Sequence, residues 1–425
     1  MSPTPASPLE WARAGVPEPQ WTGGNRVRLL QGGAELFPAM LSALAAARHE
    51  IWLATYILHD DGAAQELVRA LSAAARRGVV VRVVVDGFGS IQTLPRLRQW
   101  WADVPVQLEV FRPLERWWQW MRPGHLRRLH QKLCVVDEDL AFVSGINLID
   151  DCNDLQHGWS PNPRLDFAVE IRGPLAAAVR QTASAVWARA RLGHDWRREV
   201  GLLVSAERPV REALDLLRNV SGRASAPAPD PLPQPVRAAF IVRDNLGQRR
   251  AIEGSYVRAI RMATRRVDIA CPYFYPGRAF LRTLRHAARR GVQVRLLLQG
   301  KIDFRIAALA ARVLYDELRS HGVQIYEYTP AFLHAKVALV DDHWATVGSS
   351  NIDPMSLLLN LEANVVVDDP QFVQTLAERL ETAFAAASVV QEPPANAGWR
   401  RWLARGFVAW CATLYLRLAG FAGRY

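Results

Sequence analysis

The chain contains one supersecondary unit written twice, and this duplication restricts its fold more than any other feature. The segment AARRGVVVR at Ala74–Arg82 returns as AARRGVQVR at Ala287–Arg295. In both copies a strand-like apolar run precedes a helical pattern, and a glycine then leads into a second strand rich in Val and Leu. Nearly continuous apolar runs are typical of strands buried on both faces. We therefore expect an α/β fold of two tandem lobes, each with a mostly buried β-sheet flanked by helices.

Composition predicts where these lobes begin and end. The stretch SGRASAPAPDPLPQP at Ser221–Pro235 is rich in Pro, Ala and Ser, which is typical of a linker or an exposed loop. We expect five regions: a flexible N-terminus over 1–23, a first lobe over 24–205, a connecting segment over 206–235, a second lobe over 236–390 and an amphiphilic tail over 391–425.

Charge and cysteine usage limit the partners and the compartment. The 425 residues contain 52 Lys and Arg against 41 Asp and Glu, a net charge of +11, which favours an anionic partner such as nucleic acid, a membrane or a phosphate-bearing small molecule. The four cysteines have no metal-ligand spacing, which argues against a zinc site or a disulfide framework and favours a reducing compartment. The first residues lack the pattern of a secretory signal, and no apolar run approaches the length of a membrane span. We interpret the chain as one that faces the cytosol.

A second duplicated pattern follows each β-α-β unit. It reads HQKLCVVDEDLAFVSGIN at His130–Asn147 and HAKVALVDDHWATVGSSN at His334–Asn351. In both copies the Lys follows the His by 2 positions, the Asp by 7 and the Asn by 17. A single His-x-Lys-x4-Asp match would be weak, but two with the same downstream residues are not accidental. The predicted catalytic residues are His130, Lys132, Asp137, His334, Lys336 and Asp341.

These residue types suit chemistry at phosphorus. One imidazole can attack a phosphodiester to form a phosphohistidine, while the other protonates the leaving oxygen and later deprotonates the acceptor. Side chains at i and i+2 of a strand share a face, so His and Lys should emerge together, and the Asp should hold backbone donors at the end of the strand. The amino and amide groups would stabilise the phosphoryl oxygens, so we expect neither a metal nor a cofactor. The predicted supporting residues from the motifs are Asn147, Asn351 and Ser349.

The paired motifs resemble those of the phospholipase D superfamily. The segment DDHWATVGSSNIDPMSLLLNLEANV (Asp341–Val365) is similar to bacterial cardiolipin synthases, closest to the B type, and the likeness covers about residues 24–390. The resemblance implies one active site between two lobes, a phosphatidyl group carried on His130, and its transfer to phosphatidylglycerol to form cardiolipin. It also implies that Asp166 orients His130 and that Glu362 orients His334.

Two further segments predict contact with an anionic phospholipid membrane. The stretch RPLERWWQWMRPGHLRR (Arg112–Arg128) and the tail WRRWLARGFVAWCATLYLRLAG (Trp399–Gly420) combine tryptophan with arginine, as interfacial segments do. The alternatives are a tryptophan cluster packed under arginine side chains and a tail helix docked on the enzyme. We expect a peripheral protein on the cytoplasmic side of a bacterial inner membrane. The predicted membrane contacts are Trp117, Trp118, Trp120, Trp402 and Trp410.

Two other functions remain open at this stage. With water as the acceptor the same residues would make a phospholipase D-type hydrolase, and the superfamily also contains nucleases, although a nuclease would favour a groove for stacked bases over apolar segments. A non-catalytic membrane adaptor would not need two intact His-Lys pairs. We therefore expect phosphatidylglycerol and a second glycerophospholipid as substrates, and no nucleic acid.

Overall fold

The computed structural model describes residues 19–113, 127–155, 158–192, 235–243, 248, 250–301, 314–353 and 360–390. Within these ranges the chain divides into two compact units. The N-terminal unit comprises Thr22–Ala238 and Val347–Ser349, and the C-terminal unit comprises the residues up to Trp21, Ala239–Thr346 and the residues from Ser350 onward. The expected α/β fold with two tandem lobes is confirmed, while the residue limits taken from composition stay predictions.

The N-terminal unit is built on a seven-stranded sheet. Its strand order is β1-β9-β6-β5-β2-β3-β4, and β7 and β8 form a separate short hairpin. Strands β2, β3 and β4 are parallel, whereas β5 is antiparallel to both β2 and β6, and β9 is antiparallel to β6. The elements are β1 (Trp21–Gln31), α1 (Gly32–Ala46), β2 (Glu50–Thr55), α2 (Gly62–Arg76), β3 (Val80–Asp86), α3 (Leu94–Trp100), β4 (Val106–Phe111), β5 (Lys132–Val136), β6 (Leu140–Ser144), β7 (Asn153–Asp154), β8 (Gly158–Trp159), β9 (Phe167–Arg172) and α4 (Leu175–Leu192).

The C-terminal unit repeats this plan. Its strand order is β10-β16-β15-β14-β11-β12-β13-β17, which matches the first unit strand for strand and adds β17 at the end. The elements are β10 (Val236–Arg243), α5 (Ala251–Met262), β11 (Arg266–Cys271), α6 (Arg278–Arg289), β12 (Gln293–Gln299), β13 (Gln324–Tyr328), β14 (Val337–Val340), β15 (Trp344–Gly348), β16 (Glu362–Asp368), α7 (Pro370–Ala385) and β17 (Ser388–Val389).

The repeated AARRGV segment ends a helix in the same way in both units. Gly78 and Gly291 have φ values of 93° and 87°, in the left-handed region that glycine adopts at helix ends without a steric penalty. Each glycine donates its N–H to the helix, Gly78 to Ala75 O and Gly291 to Ala288 O, both at 3.0 Å. The chain can therefore turn at once into the following strand.

The second arginine of the same segment connects two helices in each unit. Arg77 Nη2 donates to Leu44 O at 2.9 Å, near the end of α1. Arg290 Nη2 donates to Ile260 O at 3.2 Å and to Ala263 O at 3.1 Å, at the end of α5. These carbonyls belong to the last turn of each helix and the residue after it, so a cation at this end adds hydrogen bonds there and interacts favourably with the helix dipole. The repeated arginine therefore stabilises the packing of one helix against the next in each unit.

Both sheets are buried on their two faces. Residues of β2, β5 and β6 are buried at nearly every position, as the continuous apolar runs predict. One face of the first sheet packs on α1 and α2, and on the other Trp52 of β2 meets Trp187 of α4 edge to face, with ring centroids 6.0 Å apart. Cys134, Cys152 and Cys271 are free thiols. In the described ranges, no helix combines the length and the apolar character needed to cross a lipid bilayer.

Candidate active site

The predicted motif residues of each unit lie at one edge of its sheet. In the N-terminal unit, β2, β3, β4 and β6 end at the edge where β5 and β9 begin, because β5 and β9 run antiparallel to their neighbours. We call this the histidine edge, since His130 stands two residues before the start of β5. The C-terminal unit has an equivalent edge, at which β11 and β12 end and His334 precedes β14.

His130 is placed by Tyr56, which follows β2, and by Lys132, which begins β5. Strand β5 begins only at Lys132, so His130 precedes the strand rather than sharing one of its faces with the lysine, which corrects the alternation argument. Lys132 is buried, and its Nζ donates to the backbone carbonyl of His130 at 2.9 Å. The Tyr56 ring meets the imidazole edge to face, with centroids 5.2 Å apart, and lies 5.7 Å from Lys132 Nζ. The lysine therefore fixes the backbone of the histidine it accompanies.

Tyr56 is an uncharged aromatic neighbour of His130. Burial raises the pKa of its phenol, the nearby Asp86 carboxylate raises it further, and Arg128 opposes the shift. A phenol that stays protonated at neutral pH presents a ring and a hydroxyl donor without adding negative charge next to the imidazole.

The C-terminal motif has the same lysine geometry in different surroundings. Lys336 is buried, and its Nζ donates to the backbone carbonyl of His334. Aligning IWLATYIL with VDIACPYF places Pro272 at the position that Tyr56 occupies in the first copy. The two histidines therefore lack equivalent aromatic neighbours at this position, although their motifs match.

The two motif aspartates bind backbone N–H groups of a neighbouring turn. Asp137 accepts from Arg48 at 3.1 Å, His49 at 2.8 Å and Glu50 at 3.0 Å. Its own φ of 54° is in the left-handed region, which a short polar side chain tolerates better than most. The carboxylate thus ties the end of β5 to the start of β2.

Asp341 repeats this arrangement in the C-terminal unit, with a φ of 50°. It accepts from the backbone of Thr264, Arg265 and Arg266 at 2.9, 2.8 and 3.0 Å, and from the Thr264 hydroxyl at 2.9 Å. Burial acts to raise the pKa of this carboxyl, but the donors prevail and lower it. Both motif aspartates therefore act on the fold around each histidine.

The two carboxylates expected to orient the histidines are buried at the predicted edges. Asp166 stands just before β9, and its Oδ1 accepts from Phe167 N at 2.8 Å. A Cβ placed on Gly145 would lie 2.5 Å from that same oxygen, which explains why the first copy has glycine here. Glu362 opens β16 at the corresponding position, is fully buried, and accepts from Asn360 Nδ2 at 3.4 Å.

The motif asparagines are a matched pair of buried amides. In the described part of the chain, neither Asn147 Oδ1 nor Asn351 Oδ1 has a hydrogen-bond partner. A buried polar atom left without a partner costs about 1–3 kcal/mol, so two at the same position of a repeat point to a shared use. Ser349, the third predicted supporting residue, is fully buried directly after β15.

Asp86 and Gln299 were missed by the sequence interpretation. They end β3 and β12, in VVVDG and LLLQG, at the same position of the repeat. The fully buried Asp86 accepts from Phe88 N at 2.8 Å and from Leu129 N, the residue before His130, at 2.8 Å. Burial raises the pKa of Asp86, against the opposing effects of the Arg128 charge and the backbone donors. A polar residue that directly follows the same apolar run in both copies was the signal that could have revealed them.

Asp151 is a second acidic residue that the motifs did not reveal. It belongs to the loop between β6 and β9, and its Oδ2 accepts from Gly33 N at the start of α1. Burial raises its pKa to about 6, and the Asp166 charge contributes, while the Gly33 donor acts in the opposite direction. The expected orienting carboxylate of His130 therefore has a titrating acid as a neighbour.

The predicted membrane residues Trp117, Trp118, Trp120, Trp402 and Trp410 lie outside the described residues, so their role stays a prediction. Within the described ranges, no group of three or more His, Cys, Asp or Glu side chains is arranged to hold a metal ion.

A duplicated α/β fold with a His-x-Lys-x4-Asp site in each copy defines a class of phosphodiester-bond enzymes. The sequence model of the family described as "Cardiolipin synthase, PLD-like domain" matches residues 40–158 and 256–384. The chain therefore belongs to the phospholipase D-like family of cardiolipin synthases.

Individual relatives agree with this family. Cardiolipin synthase B of Escherichia coli (strain K12) is 37% identical over 375 residues, which cover 86% of this chain and 82% of that protein. Cardiolipin synthase A of Pseudomonas entomophila (strain L48) is 32% identical over 365 residues, which cover 85% and 69%. The crystal structure of phosphatidylserine synthase from Haemophilus influenzae Rd KW20 has the same fold, with a TM-score of 0.65 at 14% identity and 98% of each chain covered.

Proposed function

We propose that this protein is a cardiolipin synthase, a phosphatidyltransferase that moves a phosphatidyl group from a glycerophospholipid to a glycerol hydroxyl of phosphatidylglycerol. The observation that carries the proposal is the 37% identity to cardiolipin synthase B over 86% of the chain. The geometry of both motifs supports it, because each histidine is accompanied by a buried lysine bonded to its backbone carbonyl.

In the first step, His130 attacks the phosphorus of the donor lipid. A P–N bond forms, the P–O bond to the donor headgroup breaks, and His334 protonates the departing alcohol oxygen. Asp166 is proposed to hold the His130 ring and to stabilise the cation that forms on it. The unlike residues at one position of the repeat support different roles, since Tyr56 lies against His130 and Pro272 takes that position in the second copy.

In the second step, a glycerol hydroxyl of phosphatidylglycerol replaces the histidine. His334, now neutral and oriented by Glu362, takes the hydroxyl proton, a P–O bond forms and the P–N bond breaks. Cardiolipin is released with His130 restored. Water in place of the hydroxyl would give phosphatidic acid by the same sequence of steps, so access of water to the phosphohistidine decides between transfer and hydrolysis.

The remaining site residues are proposed to manage the charge of the phosphoryl group. The amino groups of Lys132 and Lys336 and the side chains of Asn147 and Asn351 would bind its oxygens as negative charge grows on them. The buried amide oxygens without a partner in the described residues support this use, because an Asn side chain can present either its oxygen or its NH2 group to a ligand. This mechanism predicts that turnover persists after exhaustive chelation.

The substrates place the enzyme at a membrane, and we propose that it is peripheral and on the cytoplasmic side of a bacterial inner membrane. The free thiols support a reducing compartment. The net charge of +11 supports binding to anionic lipid.

Lipid product analysis tests the function directly. Vesicles of phosphatidylglycerol, alone or with phosphatidylethanolamine carrying a deuterated acyl chain, are incubated with the protein and the products are identified by mass spectrometry. Cardiolipin is the expected product, and its deuterium content reports whether the second lipid serves as a donor. Phosphatidic acid without cardiolipin would identify a hydrolase, and no lipid product at all would favour a membrane adaptor.

A further inference from the structure

The N-terminal unit exposes large apolar side chains at its histidine edge. Phe88 and Ile91, in the loop after β3, are 51% and 44% exposed. Leu155 and Trp159, at the β7–β8 hairpin, are 49% and 69% exposed. Val80, exposed to 39%, begins β3 at the other end of the sheet. Isolated exposed apolar residues are ordinary, so it is their concentration on the edge of His130 that carries information.

The loops that hold these side chains are bonded to one another. The Ser90 hydroxyl of the β3–α3 loop accepts from Leu58 N at 3.1 Å, and Leu58 in turn forms a β-bridge with Leu148 after β6. Asp61, also after β2, accepts from Asn153 Nδ2 of the β7–β8 hairpin at 3.2 Å. Three loops therefore form one connected border beside His130, and the apolar side chains stand on it. We call Phe88, Ile91, Leu155 and Trp159 the apolar rim.

We propose that the apolar rim inserts into a phospholipid bilayer and sets His130 at the level of the headgroups. This inference rests on the proposed function: a phosphodiester that stays in its bilayer reaches His130 only if the histidine edge faces that bilayer. Moving the half-exposed Phe, Ile, Leu and Trp side chains of this edge from water into lipid lowers the free energy, which favours binding of the edge to the bilayer.

Cationic groups lie beside the apolar side chains. The Arg128 guanidinium is 5.1 Å from the centre of the Phe88 ring. Arg96 of α3, whose side chain is 61% exposed, forms an ion pair with Asp60 after β2, at the same edge. Aromatic and guanidinium groups side by side match the boundary between acyl chains and anionic headgroups, where each finds its own partner. A lipid surface therefore fits the rim better than a purely apolar protein groove does.

Paired substitutions test the rim with a matched control. One variant carries Phe88→Ser and Ile91→Ser, a second carries Leu155→Ser and Trp159→Ser, and the control is Val80→Ser, at the far end of the same sheet. Sedimentation with phosphatidylglycerol vesicles measures binding. Turnover is measured on those vesicles and on short-chain phosphatidylglycerol kept below its micelle concentration.

Each paired variant should bind vesicles about tenfold more weakly, because two partly exposed apolar side chains no longer leave water. Vesicle turnover should fall in parallel, while turnover of the monomeric short-chain lipid and the melting temperature remain close to wild type. Val80→Ser should match wild type in every assay. Trp159→Ser alone, at the most exposed position, gives a smaller loss in the same direction and keeps the test valid if a paired variant folds poorly.

Three results would overturn the inference. The inference fails if both paired variants bind vesicles as tightly as wild type. It also fails if Val80→Ser loses as much vesicle binding as the paired variants do. A wild-type dimer that becomes monomeric in the paired variants, with vesicle binding intact, would assign the rim to contact between two copies of this chain. The proposed function fails separately: wild-type protein that binds vesicles through the rim but makes no cardiolipin refutes the transferase and leaves the docking surface standing.

Discussion

The backbone N–H of Leu129 donates a 2.8 Å hydrogen bond to Asp86 Oδ2, so a fully buried carboxylate holds the residue immediately before His130. The C-terminal unit has an equivalent contact, in which Gln299 Oε1 accepts from Leu333 N at 3.3 Å and Gln299 Nε2 donates to Leu333 O at 3.3 Å. Both side chains come from the last residue of corresponding strands. The duplicated fold thus positions its two histidines with a buried carboxyl group in one copy and a neutral amide in the other.

Asp86→Asn should lower kcat about 10- to 100-fold on a soluble phosphodiester and leave KM within about twofold. The Asp86 carboxyl accepts hydrogen bonds from backbone N–H groups through both oxygens. In the variant, the NH2 group of the amide must face one of these N–H groups, and the resulting repulsion displaces the His130 backbone by a fraction of an ångström. Steady-state kinetics beside a thermal melt separate the roles, because a purely structural residue would lower the melting temperature without changing kcat of the folded protein. The exposed Asp103→Asn is the matched control and should behave as wild type.

Sequence alone was sufficient for the duplicated α/β fold, because the repeat and the buried-strand pattern are written in the order of apolar residues. It also predicted both histidines as catalytic residues, and that role stays a prediction. The prediction that the His130 and Lys132 side chains share one face of a strand was wrong, because it assumed that both residues belong to the same strand. Strand β5 begins at Lys132, and the Lys132 amino group donates to the backbone carbonyl of His130. Contacts such as Asp86 to Leu129 depend on the packing of separate strands, which local periodicity does not contain.

His130→Ala and His334→Ala should each reduce turnover by about three orders of magnitude or more, with the fold retained, because nucleophile and general acid act as one unit. Mixing the two variants should not restore activity if both histidines of one chain serve one reaction. Mass spectrometry of acid-labile adducts after rapid quenching should find the phosphatidyl group on His130. An adduct on His334 of the wild-type protein, with none on His130, would reverse the proposed roles.

Asp341→Asn should destabilise the protein in a pH-dependent way. The folded-state pKa of this carboxyl is lowered by its donors, so the stabilisation is fully present above the ordinary carboxyl pKa and is lost as the pH falls through the folded value. We expect a difference of the order of 1 kcal/mol from wild type at pH 7 that shrinks below about pH 4. Urea unfolding at several pH values measures it. A constant difference across this range would mean that the charge contributes nothing.

Asp151→Asn should show the opposite pH dependence. Its folded-state pKa of about 6 lies above the ordinary carboxyl value, so the ionised group opposes folding above pH 6, and this penalty disappears as the pH falls toward the unfolded value. The variant should therefore gain stability relative to wild type between pH 5 and pH 8, by about 1 kcal/mol. Melting temperatures of both proteins over this range test the sign of the effect. A variant whose melting temperature falls relative to wild type as the pH rises would show that the carboxylate is needed for the Gly33 contact.

Two arginines at the same position of the repeat, Arg82 and Arg295, have different partners. Arg295 of β12 makes two 2.7 Å bonds to the fully buried Asp268 on the adjacent strand and pairs with Glu381. Its counterpart Arg82 lies over the Trp52 ring, 4.4 Å from the centroid. Removing Arg295 leaves the buried Asp268 carboxylate without its cation. Arg82 also pairs with Glu50 at 3.4 Å, but Glu50 keeps Arg180 as a partner when Arg82 is removed.

Arg295→Leu should therefore cost about 3–5 kcal/mol of unfolding free energy, and Arg82→Leu about 1 kcal/mol. Adding Asp268→Leu to Arg295→Leu removes the unpaired charge together with its partner, so the double variant should recover most of the loss. Urea unfolding followed by circular dichroism gives all four values. A double variant no more stable than Arg295→Leu alone would contradict this account. The loss would then come from packing around the long arginine side chain and not from an unpaired buried charge.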